Sequence, residues 1–233
     1  MTAIEYIKQD PIMNADLLEL VRRGNYECFY FGGDAAVFHD LAYGLCTVCG
    51  NQEADVRRVL DAMPMTDNYM AHGALCRDLL AEKAGCTGNA PCRQARYCLP
   101  EAPQVPETSM QGVELRTLDE SFLEIVDRTY GTPHTTQGIE ERLRNKAIFG
   151  AFIDDQLAGF IGWHTEGSIG YLEVLPEYRR RGLGFLLETE ALRRTLERGE
   201  IPFCHIYHTN EVSMNLQKKM GWTISDDYIY WMF

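Results

Sequence analysis

The sequence predicts an α/β (α+β) protein of two domains, and three observations carry that expectation. Runs with helical spacing alternate with short strand-like runs along the whole chain. Residues 100–112 (PEAPQVPETSMQG) hold three prolines and little apolar content, which reads as a linker near the middle of 233 residues. An apolar strand at 171–175 leads through Pro176 and three arginines into Gly182-Leu183-Gly184, where a long amphipathic helix starts. The expected domains are 1–105, a smaller α/β unit, and 106–233.

Composition narrows the function classes. An apolar content of 45% is that of a globular chain with a sizeable core. The formal charge of −12 would repel nucleic-acid phosphates and is compatible with an amine or other cationic acceptor. No stretch approaches the roughly 18 apolar residues of a membrane span, and residues 1–25 carry acids rather than a leader's apolar core, so the expectation is cytoplasmic, with no membrane partner. The eight cysteines read as reduced, partly buried thiols. Cys46-x-x-Cys49 with two of Cys86, Cys92 and Cys98 is a candidate zinc set. The later spacing is not that of a ribbon or knuckle, however, and no metal is expected.

In the first domain, residues 14–23 (NADLLELVRR) predict a helix capped by Asn14 and ended by Gly24. Residues 26–31 and 35–39 flank Gly32-Gly33-Asp34 as a hairpin, and 45–49 is a further strand. Helical spacing returns at 54–63 and 74–84, with 68–72 as a strand between them. No second Arg-x-x-Gly-x-Gly occurs here. If this half shares the ancestry of the other, it has lost the phosphate site.

In the second domain, 113–117 is a strand, followed by a helix at 119–130 with Asp119 as cap, a polar loop at 131–135 and a helix at 136–145. Strands at 148–153 and 157–163 are joined by Asp154-Asp155-Gln156. Behind the glycine turn, Leu183, Leu186, Leu187, Ala191, Leu192 and Leu196 form a buried stripe, with Glu188, Glu190, Arg193, Arg194 and Glu197 on the wet side. A strand at 203–207, a helix at 211–220 between Asn210 and Gly221, and an aromatic strand at 228–233 close the chain.

The glycine turn carries the chemistry. The first N–H groups of a helix lack intrahelical acceptors, and the helix dipole adds positive charge there. Gly182 and Gly184 would let a phosphate approach the backbone, and Arg179, Arg180 and Arg181 add full charges. The pattern is neither the P-loop nor the Rossmann fingerprint. Arg179-x-x-Gly182-x-Gly184 after a Val-x-Pro strand end resembles the pyrophosphate-binding motif of the GCN5-related N-acetyltransferase (GNAT) superfamily. The order β-α-α-β-β-β-α-β-α-β over 113–233 is similar to that fold. PFCHIYHTNEVSMNLQKKMGW resembles the ending found in its glycine-N-acyltransferase-like (FR47-like) branch.

The resemblance implies a central mixed, mostly antiparallel sheet and an acyl-CoA co-substrate, most often acetyl-CoA. It implies that Val174 offers backbone groups to the thioester and pantetheine, and that the N–H groups of Arg181, Gly182, Leu183 and Gly184 take the pyrophosphate. Asn210, Ser213 and Gln217 share one polar helix face that would border the pantetheine arm. Many members carry a tyrosine acid where this chain has Gln217, and glutamine supplies no proton at neutral pH. Ser213 and Tyr207 are then the candidate acids. Glu173, alternating away from Leu172 and Val174, is the candidate base, with the bland alternative of a strand glutamate in a salt bridge. His208, just before Asn210, is a weaker candidate base, and His164 and Glu166, at the end of the preceding strand, are candidate acceptor contacts. The expected activity is N-acyl transfer to a small-molecule amine by direct attack, in a monomer or homodimer. The alternatives are an acyl-CoA-binding module without turnover, or a transferase acting on protein N-termini or lysines.

Overall fold

The computed structural model describes residues 1–130 and 136–233; the polar loop expected at 131–135 lies outside the described residues. The chain forms two compact units, Met1–Cys98 with Phe203–Phe233, and Leu99–Pro202. The division expected at 105/106 runs once along the sequence. Here the last 31 residues (203–233) join the first unit instead.

The first unit opens with α1 (Ala3–Ile7), closed by a reciprocal Thr2–Glu5 capping box, and α2 (Ala15–Arg23). Asn14 occupies the cap position of α2 but makes no side-chain cap bond. Its Nδ2 instead donates to the Ile7 and Asp10 carbonyls, a correction to the expected cap. β1 (Tyr26–Phe29) and β2 (Ala35–Asp40) pair antiparallel, as the hairpin signal predicts, and β3 (Leu45–Gly50) extends the sheet. After α3 (Glu53–Ala62), β4 (Asn68–His72) returns parallel to β3, from Leu45 opposite Asn68 to Cys49 opposite His72. Then come α4 (Ala74–Ala84) and β5 (Asn89–Arg96), a strand not expected from the sequence, whose mixed Asn-Ala-Pro-Cys-Arg-Gln pattern lacks alternation. The apolar faces of α3 and α4 cover one side of this sheet through Val56, Val59, Leu60, Cys76 and Leu80.

The second unit begins with the short α5 (Glu107–Met110) and β6 (Val113–Thr117). Asp119 does cap, but it caps a short 3-10 turn, Glu120–Phe122, which feeds α6 (Leu123–Tyr130). α7 (Thr136–Arg144), β7 (Ile148–Ile153) and β8 (Gln156–Trp163) follow. The β7–β8 connection is tight because Asp154 and Asp155 both take the left-handed conformation that a two-residue hairpin needs. β9 (Ile169–Val174) completes a four-stranded antiparallel sheet in the order β6-β7-β8-β9, leaving β9 at its edge. α8 (Leu183–Glu197) packs on β8 and β9. Glu188, expected on its wet side, is only 2% exposed, and Thr195 is buried with it, so the covered stripe is wider than the leucine spacing indicates.

β10 (Phe203–Tyr207), α9 (Glu211–Met220) and β11 (Thr223–Met232) belong to the first unit. β11 lies between β4 and β5, and β10 pairs with β5 at the edge, giving a seven-stranded sheet ordered β1-β2-β3-β4-β11-β5-β10. The sequence-based expectation kept these strands within one C-terminal sheet. Backbone pairing with β4 and β5 decides otherwise, because a strand buried on both sides needs a ladder on each. Among the described residues no helix is long and apolar enough to cross a membrane.

Candidate functional site

The second unit contains the strand, glycine turn and helix start in continuous form. A 3-10 turn at Pro176–Tyr178 ends β9, and the chain then takes left-handed backbone at Arg180 (φ +66°) and Gly182 (φ +81°). Gly182 is the N-cap of α8, and no side chain caps that helix. The turn therefore faces its positive end, about half an elementary charge, without a protein anion on it. At Gly182 a side chain would be strained by the left-handed backbone. At Gly184 a Cβ would meet only Val174 Cγ2, at an ordinary 3.8 Å, so packing within the unit does not require that glycine.

The three arginines divide their tasks. Arg179 donates from Nε to the Val174 carbonyl (2.9 Å) and from Nη2 to Glu173 Oε1 (3.0 Å). That ties the turn to the strand end and commits most of its charge. Arg181 donates to the Glu177 carbonyl and lies over the Tyr178 ring. Arg180 is exposed and has no ion-pair partner among the described residues. Glu173, a candidate base, is partly exposed and held at one oxygen only. Its Oε2 accepts no hydrogen bond among the described residues. The salt-bridge alternative weighed for Glu173 is thus present in fact, and it leaves one carboxylate oxygen for a proton.

Asn210, Ser213, Gln217, Tyr207 and His208 lie in the first unit. Asn210 Oδ1 accepts from the Ser213 N–H (3.0 Å), which is a true N-cap of α9. The face Asn210, Ser213, Gln217 is graded: exposed, half-buried, then buried. Gln217 is 2% exposed and its Oε1 has no hydrogen-bond partner among the described residues. Tyr207 on β10, opposite Cys92 on β5, packs on the core cluster that includes Cys92 and Ile229, and burial pushes its hydroxyl above the ordinary tyrosine range. His208 is exposed beside the Tyr228 ring. Burial also raises the thiols of Cys46, Cys76 and Cys92 to about 12, which keeps them protonated. Among the described residues no group of three or more His, Cys, Asp or Glu could hold a metal ion.

The model of the acetyltransferase (GNAT) family matches residues 115–222. This segment is a GNAT-family domain. It runs from β6 through the Arg179–Gly184 turn to the end of α9, and the family is one of acyltransferases that generally use acetyl-CoA. Similar solved structures cover nearly the whole chain. A Drosophila protein aligns over 98% of this chain and 93% of its own, with a TM-score of 0.67 at 17% identity. A GCN5-related N-acetyltransferase from Kribbella flavida covers 95% and 93%, with a TM-score of 0.54 at 14% identity. A GCN5-related N-acetyltransferase-like protein from Streptococcus suis covers all of both chains, with a TM-score of 0.54 at 13% identity. At these identities the likeness is one of fold, and it extends over the first half as well as the GNAT segment. No curated protein matches the chain.

Within the GNAT segment the structure adds a cluster that sequence reading missed. Tyr171, in the middle of β9, has φ +58°, which is rare for an aromatic residue. There the β8–β9 register slips between Phe160 and Gly162, and the Tyr171 N–H donates to Tyr130 Oη (3.1 Å). The Tyr130 hydroxyl also meets His164 Nε2 (3.3 Å), and the imidazole stacks on Tyr171 with centroids 4.2 Å apart. A Cβ at Gly170 would collide with that imidazole, and this required glycine is the one signal available in the sequence. His164 is thus built into the strand bulge. Glu166, the other weak candidate, is buried in the turn that follows β8, where it accepts from the Ser168 hydroxyl.

Proposed function

We propose that the chain is an acyl-CoA-dependent N-acyltransferase, most simply an N-acetyltransferase, acting on the primary amine of a small molecule or amino acid. The observation that carries this reading is the uncapped start of α8 behind the left-handed Arg180 and Gly182, next to the open edge of β9. Helix N–H groups, the free charge of Arg180 and room at Gly184 suit a pyrophosphate. The edge of β9 near Val174, which no further strand of its sheet covers and whose carbonyl takes the Arg179 Nε bond, suits an extended amide chain that needs backbone partners.

The reaction is direct attack. The amine nitrogen adds to the thioester carbonyl, the C–S bond breaks as the C–N bond is completed, and the thiolate leaves and takes up a proton. The proton lost by the amine goes to Glu173 at Oε2, directly or through a water, while Arg179 holds Oε1 and keeps the carboxylate oriented. Tyr207 and Ser213 remain the candidate acids. Burial makes the Tyr207 hydroxyl hold its proton more tightly, which weakens it as an acid.

A second reading keeps acyl-CoA binding without turnover. It is favoured by Gln217, which is buried where many relatives have an acidic phenol. Calorimetric titration with acetyl-CoA and with free CoA, followed by thiol release over a panel of small amines, separates the two. Micromolar binding with thiol release supports the transferase, and binding with no release for any amine supports the module. Absence of binding to either ligand overturns both.

A further inference from the structure

The first unit holds a cleft that the transfer chemistry does not use. It has a volume of about 160 Å³ and is lined by residues of the α1–α2 connection, the ends of the parallel strands β3 and β4, and β11. For scale, an apolar cavity of about 150 Å³ accommodates benzene, so a ligand of roughly six to ten heavy atoms fits. His72, at the end of β4, lines it. Its Nδ1 meets Asn14 Oδ1 (2.9 Å) and its Nε2 meets Asp16 Oδ2 (3.0 Å). Asn14 Nδ2 is occupied by two carbonyls, so its Oδ1 accepts from the ring. The other oxygen of Asp16 accepts from Gln94 Nε2 (2.8 Å). The network continues: the Gln94 N–H donates to Ser225 Oγ, which donates to the Asp227 carbonyl.

This end of the network is where β11 breaks its regular pairing. The register with β5 shifts between Ile224 and Tyr228, and Arg93 clamps the bulge through the Ser225 and Asp226 carbonyls. Bulges re-aim side chains, and this one turns Asp227 out of the ladder to the cleft. Asp10 faces the same cleft from the α1–α2 connection. Each carboxylate bonds one neighbouring backbone N–H through Oδ1: Asp10 to Met13 and Asp227 to Tyr228. Neither pairs with a cation among the described residues, and no lysine or arginine lines the cleft. The start of α4 at Gly73 offsets part of the Asp227 charge and none of that on Asp10. Asp10 and Asp227 are both exposed, and they make the lining net negative.

We infer that this cleft binds a small organic cation bearing a primary ammonium, held by the Asp10 and Asp227 carboxylates. The inference does not depend on the transferase reading, since every residue it uses lies in the first unit.

The test is calorimetric titration of the full chain with 1,4-diaminobutane and, as the neutral counterpart, 1,4-butanediol. Asp10→Asn and Asp227→Asn keep the Oδ1 acceptors and remove only charge, so they preserve the local fold, which a thermal melt checks. The diamine is expected to bind, the diol not, with each variant about tenfold weaker or more (~1.4 kcal/mol). Glu173→Gln should leave this binding unchanged, which distinguishes the cleft from an acceptor site in the second unit. No diamine binding at millimolar concentration, equal binding of the diol, unaltered binding in both asparagine variants, or loss of binding in Glu173→Gln would each overturn the assignment.

Discussion

Glu173 has a split environment, one oxygen clamped by Arg179 and the other open, and that split makes its role testable. If it takes the amine proton, Glu173→Gln removes the proton acceptor yet keeps a partner for Arg179. Turnover should fall by about 10²–10⁴ with acetyl-CoA affinity unchanged, since general-base catalysis is worth that much. Steady-state kinetics beside calorimetry decide it, and full activity would remove Glu173 as the base. Gly182 gives the complementary case. Gly182→Glu places a carboxylate at the start of α8 and strains a backbone at φ +81°, so CoA binding should be lost, with circular dichroism checking that the fold remains. Unchanged affinity would sink the phosphate assignment. Gly182 was legible in the sequence because a backbone demand can be met by only one residue type. The left-handed Tyr171 was not, because an aromatic residue ordinarily signals extended strand, and the hydroxyl that receives its N–H lies 41 residues away in Tyr130.

Among the elements, helices and hairpins signalled by local chemistry form where expected, including the Asp154–Asp155 turn, the Asn210 cap and β4. The expectation that failed was Asn14 as a side-chain cap. Its position is right, but a buried histidine 58 residues away takes its oxygen, and no local pattern reports such a partner. β5 was missed for a related reason. Gln94, a polar residue in a fully buried strand position, breaks the alternation that marks a strand, and its side chain is accounted for only by Asp16. Asp16 makes the energetics measurable. Burial raises its carboxyl most, but His72, through its field and its hydrogen bond, together with His205 and the Leu17 N–H, holds it below the ordinary range. As pH falls, the unfolded chain therefore takes up this proton first. The stabilisation stands in full above about pH 4 and declines as pH drops toward the folded-state value. Asp16→Asn should cost about 3–5 kcal/mol at neutral pH and flatten the dependence of stability on pH below 4, read from urea melts across pH. An unchanged slope would show that the pair does not govern acid stability.

At the scale of the molecule, the order of elements was legible in the sequence and the sheet they join was not. Which strands pair depends on which edges remain open once all the others are placed. The segment 203–233 enters the sheet of the first unit, and β11 occupies the slot between β4 and β5, pairing from Tyr69 to His72 on one side and from Asn89 to Arg96 on the other. A central strand of this kind cannot be removed without leaving two ladders unpaired in the interior, where each orphaned backbone group costs about 1–3 kcal/mol. A chain ending at Pro202 should therefore lose amide protection throughout β4 and β5. β7 and β8 should keep theirs, because their ladder and the core of Leu118, Leu143, Ile148 and Phe160 lie within the second unit. Hydrogen exchange on the truncated chain reads both outcomes at once. Retained protection in β4 would mean that the first unit folds without β11. Loss in β7 and β8 would mean that the two compact units fold as one.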